Sequence, residues 1–411
     1  MFKKLIFLLV ASTAVLLLKA QSPVVTDYSY AQCAGSSIPY AKHFDDIQVP
    51  DSLTAVVINH VGRHGARYPT SADNCEYLAS VLHKAEDQGT LTPRGRSLLA
   101  LTERVLDYAA GRWGRLDSLG QAEQREIAAR MYVKYHRLFT GDSNISAISS
   151  WKPRCRMSMY EFLHQLSLLS DKLQITSQSG PDQDRLMRFF DGWKKPDVIT
   201  EICRTERDNL LPDKPQCAVA VVGEEMADRK LAQAMYAVVS TCGAMEMSVN
   251  PAEWFSREEY NILWSLKNLS QYLDHSASIW TTQPAELAGQ LMAELIFTTD
   301  RALSGAGPQV MLRFGHAETL MPLLSLMRVK GAYYISSDPA TVATNWRDFD
   351  LVPMAANLQI VIFKSTSGKK YARVDLNEIP TPILPGSDEI YVEWEKLRSH
   401  WLQLLPRELS F

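Results

Sequence analysis

The 411-residue chain is poor in long apolar runs. Beyond Leu5–Leu18 none approaches the roughly 20 residues of a membrane-spanning helix, so nothing after the N-terminus reads as a span. Charge of one sign is also lacking. The net charge of −3 excludes a broadly basic, nucleic-acid-binding surface, so any affinity for anions must come from a local cluster. The six cysteines form no CxxC and no Cys/His spacing that would suggest zinc. None is followed by arginine six positions on, which disfavours cysteine-phosphatase chemistry. The GxxxxGK[ST] phosphate loop and the GxSxG nucleophile elbow are both missing, and no internal repeat or low-complexity segment occurs.

The first twenty residues stand apart. Lys3 and Lys4 precede the apolar run, and Leu18-Lys19-Ala20 before Gln21 forms a cleavage-like site. Residues 1–20 therefore read as a secretory signal peptide, and the mature protein as secreted or periplasmic. Export permits disulfides, and Cys203 and Cys217 are spaced for a local pair. The 46% hydrophobic and 22% charged residues are ordinary for a globular protein, and the length favours two structural units.

Strand-like and helix-like patterns alternate at both ends of the chain. Leu53–Asn59 is a continuous apolar run suited to a strand buried on both faces. A helix opens at Thr92-Pro93 with Leu98, Leu99, Leu101, Val105 and Leu106 as its stripe, and a second is expected over Gln121–Leu138. Residues 145–150, 310–314, "NLQIVIF" and "KYARVDL" read as further strands. The middle is mainly helical, with a capping box at Ser256 to Glu259 and a further helix with Pro284 near its first turn. The pattern predicts an α/β sheet domain, 21–174 and 301–411, interrupted by a helical cap, 175–300.

Three stretches carry candidate chemistry. In "AVVINHVGRHGARYPTS", Ala55 to Ser71, a strand ends in Gly62-Arg63-His64-Gly65-Ala66-Arg67. Ligands of open α/β sheets bind beyond the C-terminal ends of strands. Arg63 and Arg67 offer guanidiniums matched to phosphate oxygens. His64 between them is a candidate nucleophile, since flanking cations keep an imidazole unprotonated in mild acid. His60 and His64 share an i, i+4 spacing that binds metal on a helix, but glycines and a strand-like run oppose helix here. A second strand ends at Gly315-His316-Ala317-Glu318, where a helix N-terminus favours an anion, His316 can donate to it, and Glu318 can act as an acid. The bland alternative for both is helix capping. The third, "WKPRCRMSMYEF", places Lys152, Arg154 and Arg156 on a loop after a short strand. "DFDLV", Asp348 to Val352, matches the pattern of aspartate-nucleophile phosphatases, but lacks a preceding buried strand and reads as chance.

"RHGARYPT" resembles the RHGxRxPT signature of the histidine acid phosphatases. "FGHAETLMPLLSLM" is similar to the second motif of their multiple inositol polyphosphate phosphatase branch, which has His-Ala-Glu where most phytases have His-Asp. "LMRFFD", Leu186 to Asp191, resembles another segment of that branch. "GWKKPDV" and "YLDHSAS" depart from it, and both fall in the expected cap that shapes the substrate pocket.

The resemblance implies a histidine phosphatase fold, a mixed, largely parallel sheet flanked by helices with an inserted cap. It implies phosphomonoester hydrolysis, on inositol polyphosphates such as phytate, through a phosphohistidine on His64. Arg63, Arg67, Arg154 and His316 would hold the phosphoryl group, and Glu318 would donate the proton. Arg156, Lys194 and Lys195 are further candidates for the substrate's other phosphates. No metal or cofactor is implied. The expected partner is a small-molecule substrate rather than nucleic acid, and the expected state is a monomer. A general acid phosphatase, a 2,3-bisphosphoglycerate-directed enzyme and a non-catalytic anion-binding relative are the alternatives.

Overall fold

A computed structural model describes residues 26–41, 48–139 and 143–409. The expected signal peptide, 1–20, lies outside the described residues. Eight strands form one mixed sheet in the order β3-β2-β4-β1-β5-β6-β7, with β8 also paired to β6. The strands are β1 (Leu53–Arg63), β2 (Asn144–Ser149), β3 (Gln174–Ser179), β4 (Val310–Gly315), β5 (Asn357–Ser365), β6 (Lys370–Leu376), β7 (Ile379–Pro380) and β8 (Val392–Glu393). β3, β2, β4 and β1 run parallel, and β5 opens an antiparallel extension. The apolar run of β1 and the wholly buried β4 sit at the centre, covered on both faces. β3 is polar and partly exposed, which suits an edge.

The register decides where the chemistry can gather. Arg63 of β1 lies beside Gly315 of β4, and Phe314 of β4 lies beside Ser149 of β2. The chain thus leaves three neighbouring parallel strands at one edge, just before His64, His316 and Arg154. β1 is longer than the expected strand and runs through Gly62 to Arg63.

Helices flank the sheet. In chain order the principal ones are α1 (Asp73–Asp87), α2 (Pro93–Ala109), α3 (Ser118–Lys134), α4 (Pro153–Leu169), α5 (Asp197–Leu210), α6 (Gln216–Val222), α7 (Arg229–Val239), α8 (Arg257–His275), α9 (Gly289–Leu303), α10 (Ala317–Leu326) and α11 (Trp394–Leu404). α2 begins at Pro93 with Thr92 as its cap, and the Ser256–Glu259 capping box opens α8. The helix expected to reach Leu138 ends at Lys134, and a short turn of helix, His136–Phe139, follows. Where a basic loop was expected, Pro153 starts α4, so Arg154 and Arg156 stand in a helix's first turn.

α1 and α2 share an apolar cluster with residues of α6, α7 and α8, including Leu78, Leu98, Val105, Leu231, Met235 and Trp264. α9 instead joins the cluster around β1 and α10. The expected cap limits fall inside β3, which pairs with β2, and inside α9. No described helix is long and apolar enough to cross a membrane. All six cysteines are free thiols, so Cys203 and Cys217 do not form the expected pair.

The loop after β1 is pressed against the start of α3. A Cβ on Gly65 would overlap the Gly120 backbone, and one on Gly120 would overlap Ala66. Gly120→Ala should therefore destabilise the fold by about 1–3 kcal/mol, the usual range for overpacking. Gly192, where an added Cβ meets nothing within 4 Å, serves as the control. Denaturant midpoints of Gly120→Ala and Gly192→Ala check this, and the expected loss appears only in the first.

Candidate active site

The segment after β1 is anchored residue by residue. Glu123 of α3 accepts from the backbone N–H of Ala66 at 2.7 Å and of Tyr40 at 2.8 Å. Burial pushes its carboxyl up to about 7, against those N–H donors and Arg63. Gln124 donates to the Arg63 carbonyl at 3.0 Å, and the Gly65 N–H donates to Ser158 of α4 at 3.1 Å. The backbone around His64 is thus held from two helices and the N-terminal segment.

His64 is 2% exposed. Its Nδ1 lies 2.9 Å from the Gly65 carbonyl oxygen. A carbonyl only accepts, so Nδ1 carries the proton and the Nε2 lone pair is free. Burial, then the charges of Arg154, Arg63 and Arg67, with His316, hold the imidazole well below its ordinary pKa of 6.5. A neutral ring with an open Nε2 is the form a nucleophile requires.

The arginines converge on this ring. Arg63 is 3% exposed and spends Nη1 on the carbonyls of Ser36, at 2.5 Å, and Val352, at 2.6 Å. Arg67 donates from Nη1 to the Tyr68 carbonyl at 2.9 Å. Arg154 directs Nη2 to His316 Nδ1 at 3.2 Å. In all three the Nε–H is buried without a hydrogen-bond partner. Buried donors are normally satisfied, so three orphans around one imidazole mark a place built for an oxyanion. Burial first, then mutual repulsion with the other arginines, lowers Arg67 to about 9.

His316 follows β4 and opens α10. A guanidinium only donates, so Nδ1 of His316 accepts from Arg154 and Nε2 carries the proton, facing Ser150 Oγ at 3.2 Å. Burial, then Arg154, brings its pKa down to about 3. Its ring centroid is 5.7 Å from that of His64. Burial would raise Glu318, but His316, His275, its own backbone N–H and Arg63 oppose this and bring the carboxyl to about 2. Glu318 is therefore ionised before an anion enters.

The structure brings together His64, Arg63, Arg67, Arg154, His316 and Glu318. It leaves Arg156 and Lys194 exposed and outside that group. Lys195 lines a separate cleft of about 880 Å³, whose walls include none of those six residues, and pairs with Asp274 at 2.7 Å. Arg204, Arg207, Lys230 and Lys267 line the same cleft. Lys267 had no distinguishing signal, since it lies between leucines in an amphipathic helix. Burial lowers its pKa, as do Arg67 and Arg63. His275, beside Glu318, was equally silent. His60 is buried between Phe162 and Phe314, 5.3 Å from each ring.

Residues 56–240 match the histidine phosphatase superfamily, branch 2. Multiple inositol polyphosphate phosphatase 1 of Homo sapiens is 27% identical across 89% of this chain and 83% of its own length. The Gallus gallus protein of the same name is 26% identical across 87% and 84%. Among solved structures, the Bifidobacterium longum multiple inositol polyphosphate phosphatase superposes with a TM-score of 0.74 over 90% of this chain and 97% of its own, at 15% identity. The phytase from D. castellii gives 0.64 over 91% and 86%, also at 15% identity. At such identities the structural likeness speaks for the fold, a mixed sheet flanked by helices.

Histidines kept neutral by the fold make stability depend on acid. Below about pH 6.5 the unfolded chain binds protons that the folded His60, at about 3, does not, so stability is lost as pH falls through this window. His60→Phe should reduce the loss between pH 6.5 and pH 4 by close to one proton's slope. Denaturant titration at the two pH values measures it.

Proposed function

We propose that this chain is a phosphomonoester hydrolase acting on inositol polyphosphates such as phytate. The observation that carries the reading is the neutral His64, with free Nε2, among three guanidiniums whose buried Nε donors lack partners. The relatives named for inositol polyphosphate hydrolysis support the substrate class, and the cleft lined by Lys195, Arg204, Arg207, Lys230 and Lys267, the last of which feels the charges of Arg67 and Arg63, suits the further phosphates.

The steps follow from the residues. Nε2 attacks the phosphorus in line with the ester oxygen, forming a P–N bond as the P–O bond to the inositol breaks. The transferring group spreads charge over three oxygens, and Arg63, Arg67 and Arg154 stabilise it with donors already in place. His316 contributes by the same charge logic, since a bound dianion raises its pKa and converts it to a second donor. The leaving alkoxide needs a proton, which Glu318 supplies. As Glu318 is ionised in the free site, that proton arrives with the substrate, whose phosphate gives up its second proton near pH 6. Glu318, again a carboxylate, then takes a proton from the water that cleaves the phosphohistidine, releasing phosphate.

We assign the mainly helical region between β3 and α9, which carries Lys195, to shaping the pocket. The basic and apolar stretch 1–20 supports export, and the chain is expected to act as a monomer without a metal.

Phosphate release from phytate, measured with a chelator present, tests the reading. Wild type should turn over, and His64→Ala should lose on the order of 10³-fold or more. No release by wild type from any inositol phosphate, or a clear preference for a simple aryl phosphate or 2,3-bisphosphoglycerate, overturns it. Glu318→Gln should cut turnover of phytate by about 10²–10⁴-fold. It should cost far less with an aryl phosphate, whose phenolate leaves without help. Comparing kcat for the two substrates measures the split.

A further inference from the structure

One buried carboxylate near the site has no step in the proposed reaction. Asp348 lies in a short helix, Asp348–Leu351, and is fully buried. Its Oδ1 accepts from Trp264 Nε1 of α8 at 3.0 Å. Its Oδ2 accepts from the Ser36 N–H at 2.9 Å. Its own N–H donates to Asn268 Oδ1 at 2.9 Å, and its carbonyl accepts from the Val352 N–H at 2.8 Å. Gly35, at φ 62°, lets the N-terminal segment come this close: a Cβ there would lie 2.8 Å from Oδ2.

These bonds converge on Arg63. The carbonyls that receive its Nη1 belong to Ser36 and Val352. Asp348 holds Ser36 through its side chain and Val352 through its backbone. A guanidinium fastened at Nη1 by two fixed acceptors has its rotation settled, and its Nε–H, which has no partner, is aimed by the same restraint. Trp264 and Asn268 tie the whole assembly to α8, the helix that also carries Lys267 to the cleft.

We propose that Asp348 is a positioning residue for Arg63, acting through the Ser36 and Val352 carbonyls to fix the guanidinium that receives the phosphoryl group. This rests on the phosphatase reading for its kinetic consequence but not for its effect on anion binding. A carboxylate this deep also contributes to packing, so stability alone does not separate the two roles. A cycle with Arg63 does, because a residue that works through Arg63 has nothing left to do once Arg63 is gone.

The test compares wild type, Asp348→Asn, Arg63→Ala and the double variant. Melting temperature, kcat and KM on phytate and the affinity for inorganic phosphate by calorimetry are the readouts. Asp348→Asn is expected to remain folded, to lose about 10–100-fold in kcat with a much smaller change in KM, and to bind phosphate more weakly. Added to Arg63→Ala, it should cost less than about twofold more. Losses that multiply in the double variant overturn the proposal, as does wild-type kcat in Asp348→Asn. If Asp348→Asn does not fold, Trp264→Phe, which removes the Oδ1 donor alone, enters the same cycle. Absence of turnover in wild type defeats the phosphatase reading, and the cycle in phosphate affinity then decides the role of Asp348 by itself.

Discussion

Three guanidiniums held around a neutral imidazole, with little negative charge to pair them, is the constraint on which the site depends. Buried cations are expensive unless compensated, and Arg63, Arg67 and Arg154 each keep an unpartnered donor in the protein interior. Nearby Glu123 is committed to backbone N–H groups, and Asp348 to Ser36 and Trp264. Glu318 interacts with His316, His275 and Arg63. The arrangement therefore stores an electrostatic demand that an entering phosphate satisfies, and it keeps His64 unprotonated by the same means. Nucleophile and anion site are two consequences of one charge distribution.

Maintaining such a cluster requires a frame that does not yield. The frame is the central part of the sheet, where β1 and β4 are covered on both faces. Their register sets Arg63 beside Gly315, and β2 adds Ser149 beside Phe314, so three chain segments turn out of the sheet at one edge. The strongest local restraints then fall on the loop after β1: the Gly65–Gly120 contact, the Glu123 carboxylate and Ser158. Rigidity of that loop lets the charges stay close without the backbone relaxing away from them.

Much of this was legible in the amino-acid order because it is local. The strand of apolar residues before "GRHGAR", the strand before "GHAE" and the periodic leucines of α2 and α8 each report their own structure through spacing and caps. The resemblance singles out Arg154, but the sequence around it reads as a loop. Pro153 at a helix's first position accounts for the difference, since proline is as much at home there as in a turn. Lys267, His275, Glu123 and Asp348 were not legible as site residues. Each reaches the site from a helix far away in sequence, and its neighbours in the chain carry no trace of that. Asp348 falls in "DFDLV", a stretch whose sequence alone reads as a chance motif match. The thiols of Cys203 and Cys217 show the reverse error: nearness in sequence suggested a bond that the fold does not make.

The central claim is that His64 carries the phosphoryl group between the two halves of the reaction. The most direct measurement is to mix the protein with phytate, quench within the first turnover and locate the added phosphate by mass spectrometry under conditions that preserve phosphoramidates. Phosphate on His64, absent from His64→Ala, is the predicted result. Turnover with the label on any other residue, or with no phosphoenzyme trapped at any time, would contradict it.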